Sequence, residues 1–246
     1  MRHARIRDPA GTVRTGVYHG DSVVAAGREY DLSAADVDLL APCEPEKIVC
    51  VGRNYVAHAE ERSEAVPDRP LLFLKPPNCV ASPGATVPLP AGKTIEHEAE
   101  LAVVIGREAR NVAASDAADY VAGYTCLDDL SNRDDQDRET NWVRGKAFDG
   151  AAPLGPCVAD PEHVPADAAV ELRVNGDRRQ SGSRDQFVFS VPALLAEVTS
   201  YLTLSPGDVI STGTPAGVAP VTDGDTVAVD VEGVGTLEHG VARVDD

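Results

Sequence analysis

The segment Glu96-His97-Glu98-Ala99-Glu100 runs straight into the apolar stretch Leu101-Ala102-Val103-Val104-Ile105, which reads as a buried strand. Side chains two apart on a strand share one face, so Glu98 and Glu100 point the same way with Cα atoms roughly 6.5 Å apart. Two carboxylates entering a core do not both stay charged without a cation or hydrogen-bond donors between them. A hard divalent metal, which takes oxygen ligands, answers that need. Glu96 shares the parity, so spacing alone does not choose which two bind, and a solvated strand end would give the same pattern. A second apolar strand, Tyr124-Thr125-Cys126-Leu127, closes on Asp128-Asp129-Leu130-Ser131-Asn132-Arg133-Asp134-Asp135-Gln136. An acidic strand end beside the carboxylate pair could complete a three-oxygen site. For most of these aspartates a solvated loop is the simpler reading.

A third segment, Arg53-Asn54-Tyr55-Val56-Ala57-His58-Ala59-Glu60-Glu61, offers a base. If Asn54 caps a helix, His58 and Glu61 are i, i+3 neighbours on one face. A carboxylate bonded to imidazole orients it and raises its basicity, which suits a general base; a surface His–Glu pair is the alternative. Two glycine-containing segments follow, Trp142-Val143-Arg144-Gly145-Lys146-Ala147-Phe148-Asp149 and Thr212-Gly213-Thr214-Pro215-Ala216-Gly217-Val218. The second lacks the Lys-Ser/Thr and the spacing of a phosphate loop, so nucleotide binding finds little support. The chain has four lysines, Lys47, Lys75, Lys93 and Lys146, so Lys75 and Lys146 inside motif-like segments draw notice, with solvated surface as the alternative.

The elements that must carry these groups are mostly strands. Residues 1–45 read as a small N-terminal β unit: Val13–Tyr18, the turn His19-Gly20-Asp21-Ser22 and Val23–Ala26 make a hairpin signal, and Ala34–Leu40 reads as one or two helical turns. Residues 46–246 read as one α+β domain. Its candidate strands are Lys47–Val51, Leu71–Leu74, Glu98–Ile105, Tyr124–Leu130, Ala169–Val174, Asp208–Thr212, Thr226–Val231 and Thr236–Val244. Candidate helices are Asn54–Arg62, Ser115–Val121 and Ser190–Leu202. Strands and helices do not alternate regularly, which disfavours a doubly wound parallel sheet.

Composition narrows the functional classes. Hydrophobic residues make up 43% of 246, enough for a globular core. No apolar run approaches the roughly 18 residues of a membrane span, and the N-terminal Met1-Arg2-His3-Ala4-Arg5 does not lead into one, so we expect no signal peptide and a cytoplasmic location. Five widely spaced cysteines with no Cys-x-x-Cys pair suit a reduced protein without thiolate zinc. Lys plus Arg is 22 and Asp plus Glu is 40, a net −18 that repels nucleic acid and anionic membranes. The acidic residues are dispersed and lysine is scarce, which suggests a halophilic protein working where salt screens the surface. An ordinary acidic cytosolic protein is the alternative.

The motifs, taken in order, resemble the fumarylacetoacetate hydrolase family. They are Gly52-Arg53-Asn54-Tyr55-x-x-His58-x-x-Glu61, Phe73-x-Lys75-Pro76, His97-Glu98-x-Glu100-Leu101, Gly123-Tyr124-x-x-x-Asp128-Asp129-x-Ser131-x-Arg133-Asp134-x-Gln136, Gly145-Lys146-x-Phe148-Asp149 and Pro206-Gly207-Asp208-Val209-Ile210-x-Thr212-Gly213-Thr214-Pro215-x-Gly217-Val218. The match runs from about Lys47 to the C-terminus. The resemblance implies a mainly β, α+β fold of the mixed β-roll or β-sandwich type with few helices, commonly as a homodimer. It points to Glu98, Glu100 and Asp129 as ligands of Mg²⁺ or Mn²⁺, with Glu96 and Asp128 outside the ligand set. It assigns His58 and Glu61 to a catalytic dyad on a mobile lid, and places Arg53, Tyr55, Arg133, Gln136, Lys146 and Thr214 around the substrate. Asp128 stands where the family usually has Asn, and Asn132 where it usually has a small apolar residue.

The chemistry so implied acts on a small 2-oxo acid. Metal, Lys146, Arg133 and Thr214 would stabilise an enolate, and His58 held by Glu61 would activate water, giving C–C hydrolysis of an acylpyruvate-like substrate. The same site without water attack would serve an oxaloacetate-type decarboxylase. With proton movement alone it would serve a 2-hydroxyhepta-2,4-diene-1,7-dioate isomerase. A metal-binding relative without catalysis is the reading outside enzymes.

Overall fold

The structure is a computed structural model and describes residues 1–243. Its N-terminal strands are β1 (Arg2–Arg7), β2 (Val13–Tyr18), β3 (Ser22–Ala25), β4 (Arg28–Asp31) and β5 (Asp38–Leu40). Then come β6 (Ile48–Gly52), helix α1 (Val56–Glu61), β7 (Leu71–Lys75), β8 (Val80–Ala81), β9 (Thr86–Leu89), β10 (Ile95–Glu96), β11 (Ala99–Ile105), β12 (Val121–Asp128) and β13 (Ser131–Asn132). The short helices α2 (Arg133–Gln136) and α3 (Val143–Lys146) follow. The remainder is β14 (Ala152–Ala159), β15 (Ala169–Val174), β16 (Asp177–Ser183), α4 (Val191–Tyr201), β17 (Val209–Ser211), β18 (Pro220–Val221), β19 (Thr226–Val231) and β20 (Gly235–Arg243). The chain is thus mainly β with few helices, in mixed sheets.

One large sheet runs β4-β3-β2-β1-β14-β12-β11-β17-β6-β7, with β5 added on β1 and β8 on β14. A second sheet runs β16-β15-β19-β20-β9, and β13-β10-β18 form a small third one. Every residue of β11 is buried, because the strand is paired on both edges, with β12 and β17, and covered on both faces. That explains its continuous apolar run. By contrast β19 alternates buried and less buried positions, burying Val227, Val229 and Val231. The N-terminal strands are not a separate layer: Arg2 and His3 pair with Ala159 and Val158 of β14, so they extend the large sheet.

Several expectations need correction. Ala34–Leu40 makes turns and then the strand β5, which pairs with β1, instead of helical turns. Helix α1 begins at Val56 with Tyr55 at its cap position and no side-chain cap. Asn54 does not cap it. Its amide instead donates to the carbonyls of Phe189 and Thr212 and accepts from the Phe189 N–H, tying three segments together. Ala114–Tyr120 is 3₁₀, preceded by Ala113 in the capping position rather than by Ser115. The reading of 46–246 omitted β14 and β16. Two prolines and a glycine disguise β14, although it is the strand between β12 and β1. Of the candidate Thr236–Val244, Val244 lies outside the described residues.

Candidate active site

The carboxylate strand is interrupted just where the site begins. Glu96 ends β10, which belongs to the small sheet, while Ala99 starts β11 in the large one. Glu98 and Glu100 therefore stay together, and Glu96 is carried outward. Across the ladder Ala99 faces Asp128, and the Asp129 N–H donates to the Glu98 carbonyl at 2.9 Å, so Asp129 lands beside Glu98. Oxygens of Glu98, Glu100 and Asp129 come within 4.8 Å of one another, and all three residues are buried.

Positive charge reaches this cluster from two directions. Helices α2 and α3 pack so tightly that a Cβ on Gly145 would stand 2.9 Å from Gln136 Cα, which sets Arg133 and Lys146 side by side. Lys146 Nζ donates to Glu98 Oε2 at 2.7 Å, Asp129 Oδ2 at 2.8 Å and Ser131 Oγ at 2.5 Å. Arg133 donates to Glu98 Oε1, to Glu96 Oε2 and to Gln136 Oε1. Lys75, buried at the end of β7, donates to the carbonyls of Leu130 and Ala151. Its Nζ also stands 2.8 Å from Asp129 Oδ1, yet that oxygen receives no hydrogen bond of proper geometry. The contact is one of charge, and Oδ1 keeps its lone pairs.

The two glutamates titrate in opposite directions. Burial pushes both upward, but Arg133 and Lys146 pull Glu98 well below the usual carboxylate range. Glu100 has no cationic partner among the described residues; burial first, then the neighbouring Asp129 charge, hold it well above that range. Its donors are the Ser211 hydroxyl at 2.5 Å and the Gly213 N–H at 2.7 Å. Gly213 adopts φ +99°, and a Cβ there would stand 2.7 Å from Asn54 Cβ, so only glycine can present that N–H. An all-oxygen trio with one undonated oxygen and one carboxylate lacking a counter-charge fits a hard divalent cation such as Mg²⁺ or Mn²⁺.

These groups open into a cleft of about 210 Å³, also lined by Arg53, His58, Arg62, Gln136 and Thr214, with Phe73 and Trp142 among its apolar lining. Phe73 and Trp142 meet edge to face, centroids 5.5 Å apart, and Lys146 Nζ lies 4.9 Å from the Phe73 ring. Arg53, at the left-handed φ of +60°, pairs with Glu64 at the same cleft.

Comparison with known proteins decides the family. The model of the fumarylacetoacetate hydrolase C-terminal domain matches residues 47–242. The chain belongs to the fumarylacetoacetate hydrolase family. A family structure, 5-carboxymethyl-2-hydroxymuconate delta-isomerase from Mycobacterium smegmatis, superposes with a TM-score of 0.90 at 40% identity, covering all of both chains. Human oxaloacetate tautomerase FAHD2A, mitochondrial, is 41% identical over 223 residues, 85% of this chain and 71% of that protein. Maleylpyruvate hydrolase from Sphingobium sp. SYK-6, in complex with manganese(II) ion and pyruvate, superposes with a TM-score of 0.84 at 31% identity, covering all of both chains.

Of the residues singled out from the sequence, Glu98, Glu100, Asp129, Arg53, His58, Arg133, Gln136, Lys146 and Thr214 line this one cleft. Two do not. Tyr55 is buried edge to face against Phe187, and its hydroxyl has no partner among the described residues. Glu61 turns both oxygens to the Gly217 N–H at 3.1 Å and leaves His58 Nδ1 3.6 Å away, too long for a hydrogen bond. Asp128 faces away from the cleft: it accepts from the Glu98 N–H and pairs with His239 at 2.9 Å in full burial. Sequence reasoning passed over Phe73 and Trp142, although both lie inside quoted motifs, and over Ser211. It also passed over Gln180, which nothing in its exposed, charged strand advertises. Another metal-type group, Asp160, Glu162 and His163, lies partly exposed at the surface, where Met1 and His3 hydrogen-bond to Asp160.

Proposed function

We propose that this member of the family catalyses proton transfer beside the carbonyl of a small 2-oxo acid, interconverting its keto and enol forms, with oxaloacetate as the model substrate. The observation that carries the reading is the convergence of three buried carboxylates, the Lys146 ammonium and the His58 imidazole on one cleft. Glu98, Glu100 and Asp129 would hold Mg²⁺ or Mn²⁺, which when bound supplies Lewis-acid charge to the oxygens of the substrate. Lys146 Nζ and Arg133 put fixed positive charge, and the Thr214 hydroxyl a hydrogen bond, where negative charge develops as the enolate forms. His58 Nδ1 faces Glu61, which leaves Nε2 to take the proton from the carbon next to the keto group. The proton returns to the enolate oxygen or to carbon, so no co-reactant is consumed. Phe73 and Trp142 reduce access of water to the enolate, which limits side reactions. The tautomerase and the delta-isomerase among the relatives, both near 40% identity, support this reading.

A second reading is C–C hydrolysis of an acylpyruvate, in which His58 activates water. It is favoured by the i, i+3 placement of His58 and Glu61 on α1, where a small shift of Glu61 from Gly217 would complete the dyad. The test is to assay the parent and His58→Ala for oxaloacetate enol–keto conversion and for acetylpyruvate cleavage, each with Mg²⁺ and with Mn²⁺. The parent should accelerate the conversion, and the substitution should slow it by about 10²–10⁴-fold. Acetylpyruvate cleavage without enol–keto conversion would transfer the assignment to the hydrolase reading.

A further inference from the structure

Gln180 projects from β16 and is 1% exposed. Its side chain lies between the ligand-bearing strand β11 and the 212–217 loop. Which end of its amide is oxygen follows from its partners. Oε1 accepts from the Ala99 N–H at 2.9 Å, a group that can only donate. Nε2 lies 2.7 Å from the Pro215 carbonyl, a group that can only accept. Both assignments agree, so His97 Nδ1, 3.0 Å from Oε1, must carry its proton. The remaining N–H of Nε2 then points at Thr214 Oγ1, 2.7 Å away.

That contact has a consequence for the cleft. The hydroxyl of Thr214 accepts from Gln180 and, among the described residues, donates to no protein acceptor. Thr214 is 3% exposed and lines the cleft beside Lys146 and Arg133. A threonine hydroxyl has one proton and two lone pairs; with one lone pair facing the Gln180 N–H, its proton is turned away from Gln180 and is free to be donated into the cleft. We infer that Gln180 is a positioning residue that turns the Thr214 proton toward the cleft, so that the cleft favours a substrate presenting an anionic, acceptor-only oxygen at that point. The inference rests on the reading that a 2-oxo carboxylate occupies the cleft. The same amide ties the backbone between Glu98 and Glu100 to the loop that presents Thr214, so the substrate donor is held in register with the carboxylate trio.

The probe is pyruvate, added to the Mn²⁺-loaded protein and followed by calorimetry, with manganese content checked by elemental analysis. Gln180→Glu offers Thr214 an acceptor instead of a donor and should draw the hydroxyl proton away from the cleft. Pyruvate affinity should fall about ten- to hundredfold, the range for a hydrogen bond to a charged group, at unchanged manganese content. Thr214→Val should fall by a similar factor, Thr214→Ser should keep the parent's affinity, and the double variant Gln180→Glu, Thr214→Val should bind no worse than Thr214→Val alone. Gln180→Met, which buries no charge, serves if Gln180→Glu does not fold, and should weaken pyruvate with the same non-additivity. Unchanged affinity in both Gln180 variants beside a weakened Thr214→Val would overturn the assignment of Gln180 and leave the proposed function standing. Additive losses in the double variant would reduce Gln180 to packing and overturn it as well. A parent protein that binds no pyruvate at all would remove the functional reading, and this inference with it.

Discussion

Glu100 is the member of the carboxylate trio with the most to say about metal. It is buried, next to Asp129, and has neutral donors only. Its raised pKa means that the folded, metal-free protein keeps a proton at Glu100 that the unfolded chain has released. Stability contributed by that protonated form is present below the ordinary carboxylate value of about 4.3 and is lost as pH rises through the raised one. Glu98 behaves oppositely: its contribution is present above the ordinary value and is lost at acid pH as its lowered pKa is crossed. In EDTA the thermal midpoint should therefore decline from mildly acidic toward alkaline pH, and Mg²⁺ should recover more of it at the alkaline end. Glu100→Gln should flatten that slope and abolish both Mn²⁺ retention and turnover. Full manganese content in this variant, read by elemental analysis, would remove Glu100 from the ligand set.

At the scale of elements, short pieces of backbone hold the site through a few side-chain ties. Helix α1 has six residues, too short to be stable by propensity, and no side-chain cap. It is anchored at one end by Asn54 and at the other by Glu61 on Gly217. Asn54→Ala would orphan the Phe189 N–H and two carbonyls, at a cost of about 2–3 kcal/mol. For a chain of this size the unfolding midpoint should drop by roughly 4–12 °C. The release of α1 should also speed proteolysis between residues 56 and 66. An unchanged midpoint would mean that the rest of the 187–190 and 212–214 segments suffices to hold the helix.

For the molecule as a whole, net charge is the dominant electrostatic fact. At −18 on 246 residues, mutual repulsion opposes the compact state wherever salt is dilute. Molar salt shortens the screening length to about 3 Å, below the spacing of most surface carboxylates. The thermal midpoint should rise strongly between low salt and molar KCl, measured at constant pH and metal. A flat response would remove the proposal that the protein is built for concentrated salt. The buried Lys146–Glu98–Asp129 cluster is screened far less, so pyruvate affinity should vary less with KCl than stability does.

The primary structure determined much of this by itself, because some signals are local. Period-two spacing put Glu98 and Glu100 on one face, and the apolar run behind them marked a buried strand. The hairpin of β2 and β3 and the strands Ala169–Val174 and Thr226–Val231 were legible for the same reason: their alternation and turn residues lie within a few positions of one another. Only tertiary structure decided the rest. Glu96 and Glu98 have equal parity, and what separates them is a change of sheet between residues 96 and 99. Asp128 and Asp129 are adjacent, and register against β11 sends one to His239 and the other to the carboxylate trio. Asn54 has the composition of a helix cap, but its bonds reach 135 and 158 residues along the chain. Gln180 sits in an exposed, charged strand, and its function lies in four partners from two distant segments. A hydrogen bond joins whatever folding brings within 3 Å, and separation along the chain carries no information about that distance.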